Sequence, residues 1–162
     1  MLIAVDHGNH AIKTVHYNFI SGLAQHSVRP PMAEEVLEYK GEYWTLSGQR
    51  LPYRRDKTRD ESFFILTLFA IAKELAHAGP LPTAEKIELA VGLPPEHYGI
   101  LKAKFRAYFK RSESIRFSYG NYRRCNTAFM RIVYFTPYIL GCIASFFSFF
   151  STIGLHHGLS SK

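Results

Sequence analysis

Residues 2–13 of the chain read Leu2-Ile3-Ala4-Val5-Asp6-His7-Gly8-Asn9-His10-Ala11-Ile12-Lys13. The segment opens with an apolar run, passes through a polar cluster that contains Gly8, and becomes apolar again from Ala11. This pattern predicts two strands joined by a tight turn. Because glycine lets the backbone approach a ligand closely, such a turn can point several N–H groups into one concavity, a geometry that suits phosphate.

Two charged residues flank this turn where a phosphate site needs them. Asp6 ends the first strand, where a carboxylate can hold a hydrated Mg²⁺, and Lys13 lies on the returning strand, where its ammonium group can neutralise phosphate. The alternative is a common Asp-Gly hairpin turn with an incidental lysine. His7, His10 and His16 have no matching cluster of cysteines or carboxylates, so we expect turn or surface histidines rather than a metal site.

The remaining sequence alternates strand-like and helix-like segments. A second hairpin is predicted over 35–47, with its bend at Lys40-Gly41, and an apolar helix follows, capped by Thr58 or Asp60 and stopped at Gly79. A buried strand over 86–91, a helix after 92–95 and a strand over 114–119 come next. The order predicts an α/β fold with a mixed sheet of about five strands and two main helices.

A basic segment, residues 48–59, separates the second hairpin from the first helix. It contains Arg54, Arg55 and Lys57. These side chains either form a solvated loop or border a binding cleft, and the pattern alone leaves both interpretations open.

Composition narrows the class of protein. The chain has 162 residues, 47% hydrophobic and 20% charged, which is typical of one globular domain with an appendage and excludes disordered, collagenous and coiled-coil chains. Two cysteines are too few for a disulfide scaffold or a four-thiolate zinc site. The first residues lack the pattern of an export signal, so we expect a cytoplasmic protein.

The first turn resembles the first phosphate loop of the actin-like ATPase superfamily, D-x-G-x-x-x-x-K. The resemblance continues through 37–48, the Arg-Arg-Asp-Lys-Thr run at 54–58, the apolar helix and Gly-Leu-Pro-Pro at 92–95. Residues 1–121 are together similar to the N-terminal domain of ParM/StbA-type plasmid-segregation proteins. The resemblance implies the first, ribonuclease H-like actin subdomain.

That family binds ATP with Mg²⁺ between two large domains and forms filaments, which move plasmid DNA through an adaptor protein. Carried over by position, Asp6 would face Mg²⁺ through water. Gly8, Asn9 and His10 would offer backbone contacts to phosphate, and Lys13 would contact the β- and γ-phosphates.

The sequence departs from the family after 121. Tyr138 stands where the family has a Gln or Glu that positions the attacking water, and a phenol is poorly suited to that task. The chain also lacks the second phosphate loop and the adenosine pocket. We therefore expect a truncated product that binds nucleotide without hydrolysing it alone.

Residues 122–162 form an apolar tail with four basic residues and no acidic one. Within it, 132–155 carries no charge and is long enough to span a bilayer. The composition favours a frameshifted or degenerate end, with a membrane segment or a buried helix as alternatives.

Two other functions stay open. One is an inert, membrane-associated module that caps filaments of a full-length relative, and it predicts co-sedimentation that is independent of nucleotide. The other is a DNA-binding adaptor, suggested by the net charge of +7. Against it, the basic face over 102–111 lies opposite the aromatic side chains, which is typical of a solvated helix face.

Overall fold

The computed structural model describes residues 1–93, 95–110, 114–121 and 125–139, the last of these ranges by its backbone. Two helices and nine strands lie within these residues. In chain order they are β1 (Leu2–His7), β2 (Ala11–Lys13), β3 (Asn18–Ile20), β4 (Leu23–His26), β5 (Val36–Tyr39), β6 (Glu42–Leu46), α1 (Ser62–Ala78), β7 (Ala84–Leu93), α2 (Pro95–Phe109), β8 (Ile115–Gly120) and β9 (Cys125–Ile139).

The strands follow the order β3-β2-β1-β7-β9-β8-β5-β6-β4. At the centre, β1, β7 and β9 run parallel, while the other neighbours pair antiparallel. The predicted α/β class, the mixed sheet and the two helices are confirmed. The predicted number of about five strands is too low, because β3 and β4 are too short to show alternation and β9 lies beyond residue 121.

Both predicted hairpins form. The first joins β1 to β2 through residues 8–10. The second joins β5 to β6 at Lys40 and Gly41, which have φ values of 54° and 80°. Two successive positive φ angles are typical of the tight turn whose twist matches paired strands.

Helix α1 is the centre of the hydrophobic core. Its residues from Phe63 to Ala72 are all buried, so the helix is covered on more than half of its circumference. The two helices pack together through aromatic rings. The ring centroids of Phe64 in α1 and Phe109 in α2 lie 6.4 Å apart.

The start of α1 differs from the prediction. The cap residue is Glu61, whose side chain makes no capping hydrogen bond. Asp60 Oδ1 instead accepts from the Ser62 N–H at 2.9 Å, and the hydroxyl of Tyr108 accepts from the Phe64 N–H at 2.8 Å. The sequence pattern could not show the second contact, because its donor and acceptor lie 44 residues apart.

The apolar segment over 132–155 is described only in part. Its first eight residues form the end of β9, which pairs with β7 along the centre of the sheet. The rest of that segment and residues 156–162 lie outside the described residues. No helix within the described ranges is long and apolar enough to cross a membrane.

Candidate functional site

The hairpin of β1 and β2 brings all five predicted site residues together, with residues 8–10 in the turn and Asp6 and Lys13 on its two strands. Asp6 and Lys13 are direct partners in the antiparallel register, so the carboxylate and the ammonium group flank the turn from opposite strands. A Cβ atom added at Gly8 would lie 2.5 Å from the carbonyl oxygen of Ala11. The position therefore excludes any larger residue, because the clash would be with backbone.

Asp6 also lies at the edge of the sheet where parallel strands end. The register pairs Val5 with Val91 in β7, and Gly92 with Tyr138 in β9. The carboxyl ends of β1, β7 and β9 therefore meet at one edge. In open α/β sheets, ligands bind at this edge. The backbone thus places Tyr138 at the same edge as Asp6. That Tyr138 replaces the water-positioning Gln or Glu of the family remains a prediction.

Neighbouring segments hold the turn in place. Ser21 Oγ donates to the Gly8 carbonyl at 2.7 Å, and the Arg54 N–H donates to Asn9 Oδ1 at 3.3 Å. The Arg50 guanidinium lies 2.9 Å from His10 Nδ1. The side chains of Asn9 and His10 are therefore engaged with the basic segment, and the backbone contacts predicted for both residues stay a prediction.

Asp6 is partly buried, and its Oδ1 atom has no hydrogen-bond partner in the described part of the chain. Burial raises the pKa of this carboxyl group, while the positive charges of Lys13 and Lys57 oppose that rise. A buried carboxylate oxygen that lacks a partner is costly unless water, an ion or a ligand satisfies it.

Lys57 is one of the three basic residues for which the sequence left a solvated loop and a cleft border as alternatives. Its side chain is buried, donates to the carbonyl oxygen of His7, and lies 5.3 Å from the centre of the Phe63 ring. The solvated-loop interpretation is therefore wrong for Lys57. The solvated-loop interpretation fits Arg55, which is exposed. Arg54 is partly buried and pairs with Asp60.

The expectation of a turn or surface position is also wrong for His7, which ends β1 and is buried. The imidazole is fully buried among the rings of Phe63, Phe105 and Phe109, at centroid distances between 5.3 and 6.3 Å. Burial lowers the pKa of His7 to about 3, and the charge of Lys57 acts in the same direction. His7 is therefore neutral at physiological pH.

The hydrogen bonds of Thr67 fix the tautomer of His7. Thr67 Oγ1 donates its one proton to the Phe63 carbonyl at 2.7 Å, so His7 Nε2 must donate to Thr67 Oγ1, 2.6 Å away. The Nδ1 atom then carries no proton, and it has no partner among the described residues. The ring anchors β1 to α1.

A cleft of about 490 Å³ lies beside the turn. Asn9 and His10 line one side, and the basic segment lines the other through Gln49, Arg50, Leu51 and Tyr53. The cleft therefore lies between residues 9 and 10 of the turn and the start of the basic segment.

A divalent ion at this site would need help from its ligand. Within the described ranges, no three His, Cys, Asp or Glu side chains form a group that could hold a metal. A single carboxylate is nevertheless adequate for Mg²⁺, which keeps several waters and binds through one or two carboxylates plus phosphate oxygens. The unpartnered oxygen of Asp6 fits that role.

No family model and no curated protein matches the sequence. Solved structures do match. The apo pSK41 ParM protein superposes with a TM-score of 0.65 at 15% identity, over 85% of this chain and 49% of that one. The fold is actin-like. An archaeal actin homologue, Ta0583 in complex with ADP, gives a TM-score of 0.65 at 15% identity, over 94% of this chain and 47% of that one.

Filament-forming proteins share the same fold. The Alp12 filament structure matches with a TM-score of 0.63 at 13% identity, covering 86% of this chain and 46% of that one. The actin-like chain described here thus spans about half the length of the solved structures that it matches. The similarity to ParM-type and archaeal actin-like structures confirms the predicted fold.

Proposed function

We propose that the chain is the Mg·ATP phosphate-binding N-terminal lobe of a filament-forming actin-like protein that acts in DNA segregation in the cytoplasm. The observation that carries the proposal is the pairing of Asp6 with Lys13 across a turn in which Gly8 cannot bear a side chain. This pairing lies at the sheet edge where ligands of α/β proteins bind.

The donor set fits the nucleotide. Asp6 Oδ1 has no partner among the described residues and would accept from a water of the Mg²⁺ shell, and Lys13 is exposed and available to the β- and γ-phosphates. The backbone of Gly8, Asn9 and His10 would line the phosphate chain. When bound, Mg²⁺ supplies positive charge to the phosphate oxygens.

The protein's own residues supply position and charge. The contacts from Ser21 and Arg54 hold the turn in one conformation before a ligand arrives, which reduces the ordering that binding requires. Tyr138 in place of Gln or Glu would leave the attacking water without its usual orienting group, so the proposal is nucleotide binding without efficient hydrolysis by this chain alone.

The proposal extends to assembly. Among the matched structures, Alp12 and AlfA are described as filaments, and Ta0583 was solved with ADP. We infer that the partners of this chain are other actin-like subunits, with an adaptor protein as the link to plasmid DNA.

Equilibrium binding of Mg·ATP to the 162-residue chain tests the proposal. Asp6→Ala and Lys13→Ala should each weaken binding at least tenfold, since each removes a charged contact worth roughly 1.5 kcal/mol or more. Glu34→Ala and Lys86→Ala serve as matched controls and should bind like the wild type, because both side chains are exposed and Lys86 lies at the end of β7 opposite the turn.

Two results would contradict the proposal. One is a folded wild-type chain that does not bind Mg·ATP. The other is wild-type affinity in both the Asp6→Ala and the Lys13→Ala variants, which would leave the turn a structural hairpin.

A further inference from the structure

Lys57 is a buried cation that has no direct counter-ion among the residues the structure describes. Only 9% of the residue is exposed, and its ammonium group donates to the neutral carbonyl of His7. The two acidic residues nearest in sequence are engaged elsewhere, because Asp56 pairs with Lys104 and Asp60 pairs with Arg54. In the described part of the chain, Lys57 forms no salt bridge.

Within the described ranges, the charge that compensates Lys57 is that of Asp6, which acts at longer range. Burial lowers the pKa of Lys57, and the nearby charge of Asp6 opposes that shift. Asp6 in turn interacts with both Lys13 and Lys57. The cluster of one carboxylate and two ammonium groups therefore has a net charge of +1.

His7 cannot supply the missing negative charge. Its ring is neutral, and its Nε2–H is committed to Thr67. Its carbonyl oxygen, fixed by the packing of the ring, accepts one of the three N–H donors of Lys57. Withdrawing a cation from water without pairing it is costly, so this arrangement is suited to receiving an anion.

We propose that Lys57 is a second phosphate-binding lysine, which together with Lys13 makes the site specific for a polyanion with at least two linked phosphoryl groups. The inference rests on the proposed function and adds to it the chemical class of the ligand. Lys13 would approach the phosphate chain from the exposed strand β2, and Lys57 would approach from the buried side, next to the β1 backbone. Two linked phosphoryl groups carry more negative charge than one phosphate and offer separate oxygens to the two ammonium groups.

The test compares inorganic ligands that differ only in chain length. Calorimetry with the 162-residue wild type in Mg²⁺ should show that tripolyphosphate and pyrophosphate bind at least tenfold more tightly than orthophosphate. Lys57→Gln keeps an N–H donor for the His7 carbonyl but removes the charge, so it should weaken pyrophosphate binding at least tenfold. Lys57→Arg keeps the charge and should lie within about fivefold of wild type. Lys86→Gln, at an exposed position at the opposite end of β7, is the matched surface control.

Thermal unfolding of the same variants separates a phosphate contact from a structural role. If Lys57→Gln melts like the wild type and loses pyrophosphate affinity, the inference is supported. If Lys57→Gln binds pyrophosphate within twofold of the wild type, or if the affinity loss in the two variants simply follows their loss of stability, the inference is wrong.

The wild-type comparison decides the matter even if Lys57→Gln does not fold. Equal affinity for orthophosphate and pyrophosphate would overturn the second-lysine inference while leaving nucleotide binding intact. A wild type that binds neither pyrophosphate nor Mg·ATP would instead contradict the proposed function itself.

Discussion

Asp6 and Glu74 are two carboxylates withdrawn from solvent near the first three strands, and their surroundings differ. Glu74, on α1, accepts hydrogen bonds from Thr14 Oγ1 at 2.5 Å, from the His16 N–H at 2.9 Å and from His16 Nδ1 at 2.7 Å. Asp6 Oδ1 has no such partner in the described residues.

The pKa values of the two groups shift in opposite directions. Burial by itself raises the pKa of both carboxyl groups. For Glu74, the hydrogen bonds from Thr14 and His16 outweigh burial and lower the pKa. For Asp6, the two lysines act only through space, and the pKa is raised. Glu74 is thus satisfied by the fold, whereas Asp6 Oδ1 finds no partner in the described part of the chain, as the proposed ligand site requires.

The hydrogen bonds that His7 and Glu74 make also fix the position of the turn that carries Asp6. His7 contacts Thr67 and Thr14 contacts Glu74, so the β1–β2 hairpin is attached to α1 at two positions. Thr67 and Glu74 are seven residues apart, which puts them two turns apart on one face of the helix. The turn with Asp6 projects from a hairpin that is fixed near both of its strands.

The largest expected effect concerns the pH dependence that His7 imposes. Its folded-state pKa is lowered to about 3, so between that pH and about 6.5 the unfolded chain binds a proton that the folded chain does not. The stability that the neutral His7 contributes is fully present above pH 6.5. Below that pH, the free energy of unfolding falls by up to about 1.4 kcal/mol for each pH unit.

Urea unfolding at pH 7, 6, 5 and 4 measures this slope. His7→Leu should flatten it, since leucine fits the aromatic surroundings and Thr67 keeps its bond to the Phe63 carbonyl. His26→Gln changes a partly exposed histidine and should keep the wild-type slope. An equally steep slope in His7→Leu would show that His7 is not the buried group that titrates.

Glu74→Ala should have the next largest effect. It leaves the Thr14 hydroxyl and the His16 N–H without their acceptor, which costs about 2–3 kcal/mol of unfolding free energy at pH 7. Denaturant unfolding measures the loss, and Glu34→Ala, at an exposed position, should stay within about 0.5 kcal/mol of wild type. A loss as small as that of the control would mean that Glu74 does not hold the hairpin.

Much of the fold could be predicted from local sequence signals. Apolar spacing fixes α1, the Lys40-Gly41 pair fixes the second hairpin, and the turn around Gly8 places Asp6 opposite Lys13. Each signal depends on residues that are close in the chain. The strands β3 and β4 escaped prediction because three or four residues are too few to establish a period.

The missed part of the site depends on contacts between distant residues. Lys57 lies among several arginines and has no local feature that marks it as buried. Its partner is the carbonyl of His7, fifty residues earlier, and its neighbour is the Phe63 ring. His7 is likewise buried by rings of α1 and α2. A charge pattern cannot show such burial, because it is created only when the helices pack on β1.

The smallest expected effect has the opposite sign to that of Glu74→Ala. Asp6→Asn removes a carboxylate whose folded-state pKa is raised, so it should increase stability at pH 7, by less than about 1 kcal/mol because the group is only partly buried. Because the pKa of Asp6 is raised, its contribution to stability is present below about pH 4, where the carboxyl group is protonated, and is lost as the pH rises. The gain in stability from Asp6→Asn should therefore vanish at pH 3. Urea unfolding at both pH values measures it. If Asp6→Asn lowered stability at pH 7, Asp6 would be serving the fold as Glu74 does, and its unpartnered oxygen would no longer indicate a ligand site.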